Sequence, residues 1–169
     1  AGKMGAYYYT ANEKSSLITR SRSFDDNATP NGNASACLSF LRLFALTGKV
    51  DYRNKAEKII DAASDGLNKW PRAYMKLVRC ADFLINGSRE IVIAAKDKAS
   101  ALEWIKEARL KYHPSQVILL VTPDSTNDYL KAKEMLDNKT TAYICYNQMC
   151  KAPINDFDEY KKSLDKHLK

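Results

Sequence analysis

Two stretches of this chain gather side chains that could do chemistry. The first is Cys145-Tyr146-Asn147-Gln148-Met149-Cys150, where four residues separate two thiols. Thioredoxin-type exchange centres space their cysteines by two residues, so this is not that motif. A loop between the cysteines could still let the sulfurs approach, and Lys151 would favour a thiolate. The competing expectation is packing, with Cys145 ending a buried strand and Cys150 lying under a loop. Packing is the favoured expectation, because free cysteines are usually buried as small hydrophobes. Asn147 is the polar side chain between them and a candidate ligand contact. Zinc would need about four ligands. The two histidines, His113 and His167, lie far off and show no ligand spacing, so no metal is expected.

The second stretch is the turn-rich run Asp25-Asp26-Asn27-Ala28-Thr29-Pro30-Asn31-Gly32-Asn33. It leads into a helix, whose first N–H groups can meet an anion or a sugar oxygen. Asp25 and Asp26 are candidate acids or bases there, and Asn27 and Asn33 are candidate ligand contacts. Turn formation, with Asn31 or Asn33 capping the helix, accounts for the same residues more simply. No Ser-His-Asp constellation can be assembled. Lys96 and Ser125, expected at strand ends, could meet a small anion. The chain has neither a Gly-x-Gly-x-x-Gly run nor a Walker-type loop, so no nucleotide cofactor, or any other, is expected.

The elements that must position these residues fall into two kinds. Apolar residues at helical spacing predict helices over Ala34 to Thr47, Tyr52 to Lys69, and a third opened by Pro71 and closed by Asn86-Gly87. The first carries apolar side chains nearly all round, including Cys37, and so demands neighbours on most sides. Cys37 and Cys80 read as packing residues. From Arg89 the pattern changes. Short β-branched runs at Glu90 to Ala94, Val117 to Val121 and Ala142 to Cys145 predict buried strands. Helices are predicted between them, one opened by the Ser100 and Glu103 spacing, one over Thr126 to Leu136, and a last one after Asp156 bearing Phe157, Tyr160, Leu164 and Leu168. A short β-prone run, Ala6 to Thr10, precedes all of these. The fold class is therefore mixed α/β. Helical hairpins over residues 1–88 hand over to a small three-stranded parallel α/β module over 89–169.

Composition narrows the function. The net charge of +7 is scattered along the chain, and Lys161, Lys162 and Lys166 alternate with acids on one helix, which describes a solvated face. Nucleic acid is not the expected partner. No apolar run approaches the roughly 18 residues that span a bilayer, so no membrane partner is expected either. Four cysteines in a chain of 169 residues do not make a disulfide scaffold and suit a reducing compartment, hence a cytoplasmic location, or an organelle where a leader has been removed.

Several landmarks occur in a recognisable order: Leu17 to Arg22, Asp25-x-Asn27-Ala28-x-Pro30-x-Gly32-Asn33, Leu41-Arg42-Leu43, Leu46-Thr47-Gly48, Pro71-x-Ala73-Tyr74 and Glu90-Ile91-Val92-Ile93. Thr141-Ala142-Tyr143-Ile144-Cys145-x-Asn147-x-x-Cys150-x-x-Pro153 closes the series and is its most specific part. Together they resemble the spermatogenesis-associated protein 20 family and its bacterial thioredoxin-domain-containing relatives. The resemblance implies an N-terminal thioredoxin-like domain, an (α/α)6 barrel similar to the six-hairpin glycosidase fold, and a C-terminal α/β segment. Residues 1–88 would then be the last barrel hairpins. The chain would be the C-terminal part of a larger protein, inactive alone, with the rest of that protein as its partner. A carbohydrate-related or thiol-redox role and a small-molecule or sugar ligand are the expected function; a non-catalytic interaction or structural module is the alternative. Asn31 stands where the family commonly has serine, which leaves no hydroxyl at that position.

Overall fold

The computed structural model describes residues 5–11 and 19–165, with five α-helices and a four-stranded mixed sheet. The chain divides into two units. One comprises residues 1–44 and 49–86; the other takes Ala45–Gly48 and Gly87–Lys169.

The first unit is helical. Helix α1 spans Gly32–Thr47, α2 spans Val50–Lys69, and a 3-10 turn at Pro71–Tyr74 leads into α3, Met75–Asn86. Gly48 takes φ +69°, the left-handed turn that stops α1. Trp70, at the end of α2, donates its backbone N–H to the Gly66 carbonyl. Each helix buries a stripe at helical spacing: Ala34, Cys37 and Leu41 from α1, Ala56, Ile59 and Ala63 from α2, and Leu77, Cys80 and Phe83 from α3. The run Ala6 to Thr10 forms no strand. Its backbone is held by single bonds, Tyr7 N–H to Asn33 Oδ1 (2.7 Å) and Tyr9 N–H to the Ser21 carbonyl (3.1 Å), because no neighbouring strand offers it a ladder.

The second unit is built on strands β1 (Arg89–Ala94), β2 (Gln116–Val121), β3 (Thr141–Tyr146) and β4 (Met149–Cys150), in the order β2-β1-β3-β4. Strands β1 and β2 are parallel and joined through α4, Lys98–Leu110. Strand β3 runs antiparallel to β1, and β4 antiparallel to β3. The expected all-parallel, three-stranded module is therefore corrected to a mixed sheet of four strands. Topology also accounts for the missing helix over Thr126 to Leu136. Val121 and Thr141 both pair with Ala94, so β2 ends and β3 begins at the same end of β1. An antiparallel entry needs no return crossover, which is what a helix would have supplied. In its place stand a 3-10 turn at Asp128–Leu130 and a tight turn through Asp137 (φ 51°) and Asn138 (φ 54°).

One sheet face carries Ile91, Ile93, Ala142 and Ile144 and is covered by Trp104 of α4 and by Tyr160 and Leu164 of α5 (Phe157–Asp165). Tyr160 donates its hydroxyl to the Trp104 carbonyl at 3.2 Å, and the two rings lie 4.9 Å apart. Leu168, expected on the same stripe, lies outside the described residues. Helix α4 is capped by Asp97, whose Oδ1 accepts from Ser100 N–H at 2.8 Å; Ser100 is three residues into the helix and is not its cap. The opposite face, with Val92, Leu119 and Tyr143, is also buried. There the Tyr143 hydroxyl donates to the Glu134 carbonyl at 2.7 Å, tying the β2–β3 connection to the sheet. Among the described residues no helix is long and apolar enough to cross a membrane.

Candidate functional site

The turn cluster before α1 is a closed hydrogen-bond network. Asn31 Oδ1 accepts from the backbone N–H groups of Asn33 (2.8 Å) and Ala34 (3.3 Å), which makes Asn31 the cap of α1. Its amide nitrogen donates to Tyr9 Oη, Ser23 Oγ and the Asp25 carbonyl. Asn33 is 2% exposed and fully engaged: Oδ1 takes Tyr7 N–H, and Nδ2 donates to the carbonyls of Tyr7 and Ser23, both at 3.0 Å. Asp26 joins two elements, with Oδ1 accepting from Asn31 N–H (2.8 Å) and Oδ2 from Lys76 N–H (2.9 Å). Asp25 takes part through its backbone carbonyl, and Asn27 is exposed, its N–H turned to the Thr29 carbonyl. The polar atoms of Asn31, Asn33 and Asp26 are therefore committed to the fold.

Two thiols meet in the core of the same unit. Cys37 Sγ donates to the Ala56 carbonyl and Cys80 Sγ to the Ala34 carbonyl, each at 3.6 Å. The sulfurs also interact with each other. The contact with Cys80, together with burial, pushes the Cys37 thiol up. The neighbouring Cys37 side chain holds Cys80 down, helped by Arg79 and Lys76 and opposed by burial.

In the second unit a cleft of about 290 Å³ lies at the ends of β1 and β2, lined by Ala95, Val121, Thr122, Ser125, Lys131 and Lys133 among others. Several of its polar groups make contacts within the fold. Ser125 Oγ accepts from Thr122 N–H (2.9 Å), Lys131 pairs with Asp128, and Lys133 sits 5.2 Å from the centre of the Tyr143 ring. Lys96 is exposed and does not line it.

The hairpin β3–β4 departs most from expectation. Cys145 and Cys150 are joined by a disulfide, S–S 2.00 Å, where packed and separate thiols were expected. They are direct cross-strand partners, as are Tyr146 and Met149, and Asn147 and Gln148 alone form the turn. Lys151 N–H reaches the Ile144 carbonyl at 3.1 Å, continuing the ladder. Both turn residues have positive φ, 48° and 66°, the geometry that suits the right-handed twist of two strands. Asparagine tolerates that region; glutamine there costs roughly 1–2 kcal/mol. Two anchors hold the turn in place. Asn147 Oδ1 accepts from Ser88 N–H (3.2 Å) while Asn147 N–H donates to the Ser88 carbonyl (3.1 Å). Gln148 N–H donates to Glu90 Oε2 at 3.1 Å. Asn147 is thus a turn anchor. Lys151 lies over the Tyr146 ring at 5.7 Å.

The sulfurs differ in access: Cys145 is 1% exposed, whereas Cys150 is only partly buried. Directly across from Cys145 on β1 stands Glu90, itself 1% exposed. Its Oε1 accepts from Ser88 Oγ. Burial raises the Glu90 carboxyl above the ordinary carboxylate range, and the bonds from Ser88 and Gln148 only partly offset this. Arg89 points to the other face, 0% exposed, donating through Nη2 to the Leu164 carbonyl at the end of α5. Glu90 was not singled out in the sequence, where a carboxylate opening an otherwise apolar strand was the available signal.

The chain is similar to spermatogenesis-associated protein 20 of Homo sapiens, 28% identical over 171 residues that cover 95% of this chain and 21% of the relative. The Rattus norvegicus protein of the same name matches equally, at 28%. An uncharacterised protein of Caenorhabditis elegans is 24% identical over 165 residues, again 95% of this chain and 22% of the relative. These matches establish homology to spermatogenesis-associated protein 20 along nearly the whole chain. The chain spans about one fifth of the length of these curated relatives. No family model matches, and no solved structure matches.

Proposed function

We propose that this homologue of spermatogenesis-associated protein 20 carries a thiol–disulfide exchange site at Cys145 and Cys150, at the end of its sheet. The observation that carries the proposal is the asymmetric disulfide across the hairpin. Exchange requires a thiolate to attack one sulfur along the S–S axis while the other leaves. Cys150, partly open, is the sulfur within reach of attack, and Cys145, enclosed, is the one that leaves. Because the turn is pinned by Asn147 and Gln148 independently of the S–S bond, the hairpin keeps its register when the bond opens.

The partner we propose is a thiol supplied by the remainder of a longer chain, for which we propose a thioredoxin-like domain and an (α/α)6 barrel on the resemblance described above. A cytoplasmic location would keep such a pair cycling, since reducing compartments do not preserve disulfides passively. The carbohydrate-related role has less support. Of its candidate residues, Asn33 is engaged in holding the fold, Asp25 lends the same network its carbonyl, and Asn27 is exposed.

Treating the folded protein with dithiothreitol and trapping free thiols by alkylation tests the exchange site. Cys150 and Cys145 should become labelled while Cys37 and Cys80 stay protected, and a Cys145→Ser variant should form a mixed disulfide through Cys150. A bond that resists excess dithiothreitol until the protein is unfolded would identify a purely structural staple and sink the proposal.

A further inference from the structure

Opening a disulfide whose leaving sulfur is buried raises a problem of charge. A thiolate at Cys145 would be formed where water does not reach, and burial disfavours the charged form of a thiol. The sheet register places a titratable group beside it. Val117, Glu90, Cys145 and Cys150 form one row across the four strands, with their side chains on the same face. Directly opposed residues in such a row have Cβ atoms about 5 Å apart, within reach of a glutamate carboxyl.

We propose that Glu90 is the proton-transfer partner of Cys145 in disulfide exchange at this hairpin. The inference rests on the exchange site proposed above and names how that site handles its proton. In the reducing direction an external thiolate attacks Cys150 Sγ, the S–S bond breaks, and its electron pair goes to Cys145 Sγ. That sulfur takes the proton from the Glu90 carboxylic acid, leaving a carboxylate and a mixed disulfide on Cys150. A second thiolate from the same class of reductant attacks the outer sulfur of the mixed disulfide. Cys150 leaves as a thiolate that solvent protonates, and Glu90 recovers a proton from water. Two thiols have become one external disulfide and the hairpin pair has become two thiols. In the oxidising direction the Glu90 carboxylate takes the proton of Cys145 as that sulfur attacks.

The surroundings suit this role. Ser88 Oγ and Gln148 N–H bind the two carboxylate oxygens, fixing the group without supplying a positive charge that would hold it permanently ionised. From the β2–β3 connection the Tyr129 phenol feels the Glu90 charge, its own ionisation pushed up by burial first and by Glu90 second. Arg89, the adjacent cation in sequence, is directed to the opposite face against Leu164. Burial keeps the Glu90 proton to higher pH than a free carboxyl would, toward the range where thiol exchange runs.

The test is the rate at which dithiothreitol reduces the pair in the full chain between about pH 5 and pH 9, divided by the dithiothreitol thiolate fraction. In the wild type this normalised rate should fall as pH rises through an inflection above the ordinary carboxylate range, by about tenfold or more. Glu90→Gln keeps an oxygen for Gln148 N–H but cannot transfer a proton; its profile should be flat and sit at the slow, high-pH level. A turn anchor with no part in proton transfer would shift the whole curve without removing the inflection, and that result overturns the proposal. A normalised wild-type profile with no inflection overturns it as well, whether or not the variant folds. Rapid reduction with a flat profile leaves the exchange site standing without Glu90. A pair that dithiothreitol cannot reduce in the folded state removes both.

Discussion

The loop before α1 and the hairpin at the end of β3 look alike as strings of residues: each places asparagine next to a regular element. Their hydrogen bonding separates them. In the loop, Asn31, Asn33 and Asp26 direct polar atoms to backbone groups of Tyr7, Ser23, Ala34 and Lys76. In the hairpin, Asn147 is engaged in the same way, but the bond it frames, Cys145–Cys150, is itself reactive and partly open. A cluster of polar side chains is evidence for a site only after its backbone obligations have been subtracted.

The largest expected effect that sharpens this contrast is at Asn33. Asn33→Ala removes three hydrogen bonds from a buried position and strands the backbone groups of Tyr7 and Ser23, costing about 3 kcal/mol in urea unfolding. A change under about 0.5 kcal/mol, the usual range for unremarkable surface positions, would break the comparison. Next is Gly87, with φ +84° and the Asn147 side-chain amide where a Cβ would lie. Gly87→Ala should destabilise by about 2 kcal/mol and should also speed alkylation of Cys145 in the reduced protein, since the displaced Asn147 no longer pins the turn. The smallest effects belong to exposed Asn27 and half-buried Asp25. Asn27→Ala and Asp25→Ala should each alter stability by under about 0.5 kcal/mol and leave the rate of disulfide exchange unchanged. Loss of a saturable sugar interaction in either variant, by titration calorimetry, would instead return the loop to the list of binding sites.

Much of the helical unit was legible because its information is local. Apolar periodicity located α1, α2 and α3, and Pro71 and Asn86-Gly87 marked ends that the structure places at Pro71–Tyr74 and Asn86. The buried strands were legible for a similar reason, as short β-branched runs. The segment Thr126 to Leu136 misled because alanine, lysine, glutamate and leucine favour a helix intrinsically, and that preference is weak beside the demands of topology. The hairpin was missed for the opposite reason. Asn-Gln is a poor turn pair on propensity, and Gln148 adopts its left-handed conformation with Glu90, 58 residues away, receiving its N–H.

The amino-acid sequence by itself located α1 to α5 and the buried strands β1 to β3, and showed that four residues separate Cys145 from Cys150. Those features follow from side-chain periodicity and turn chemistry within a few residues of one another. Only the tertiary structure decided that β3 enters antiparallel, that Cys145 and Cys150 face each other across a ladder, and that Glu90 stands beside them. Strand direction and register depend on which distant backbones share hydrogen bonds, and no local preference encodes that choice.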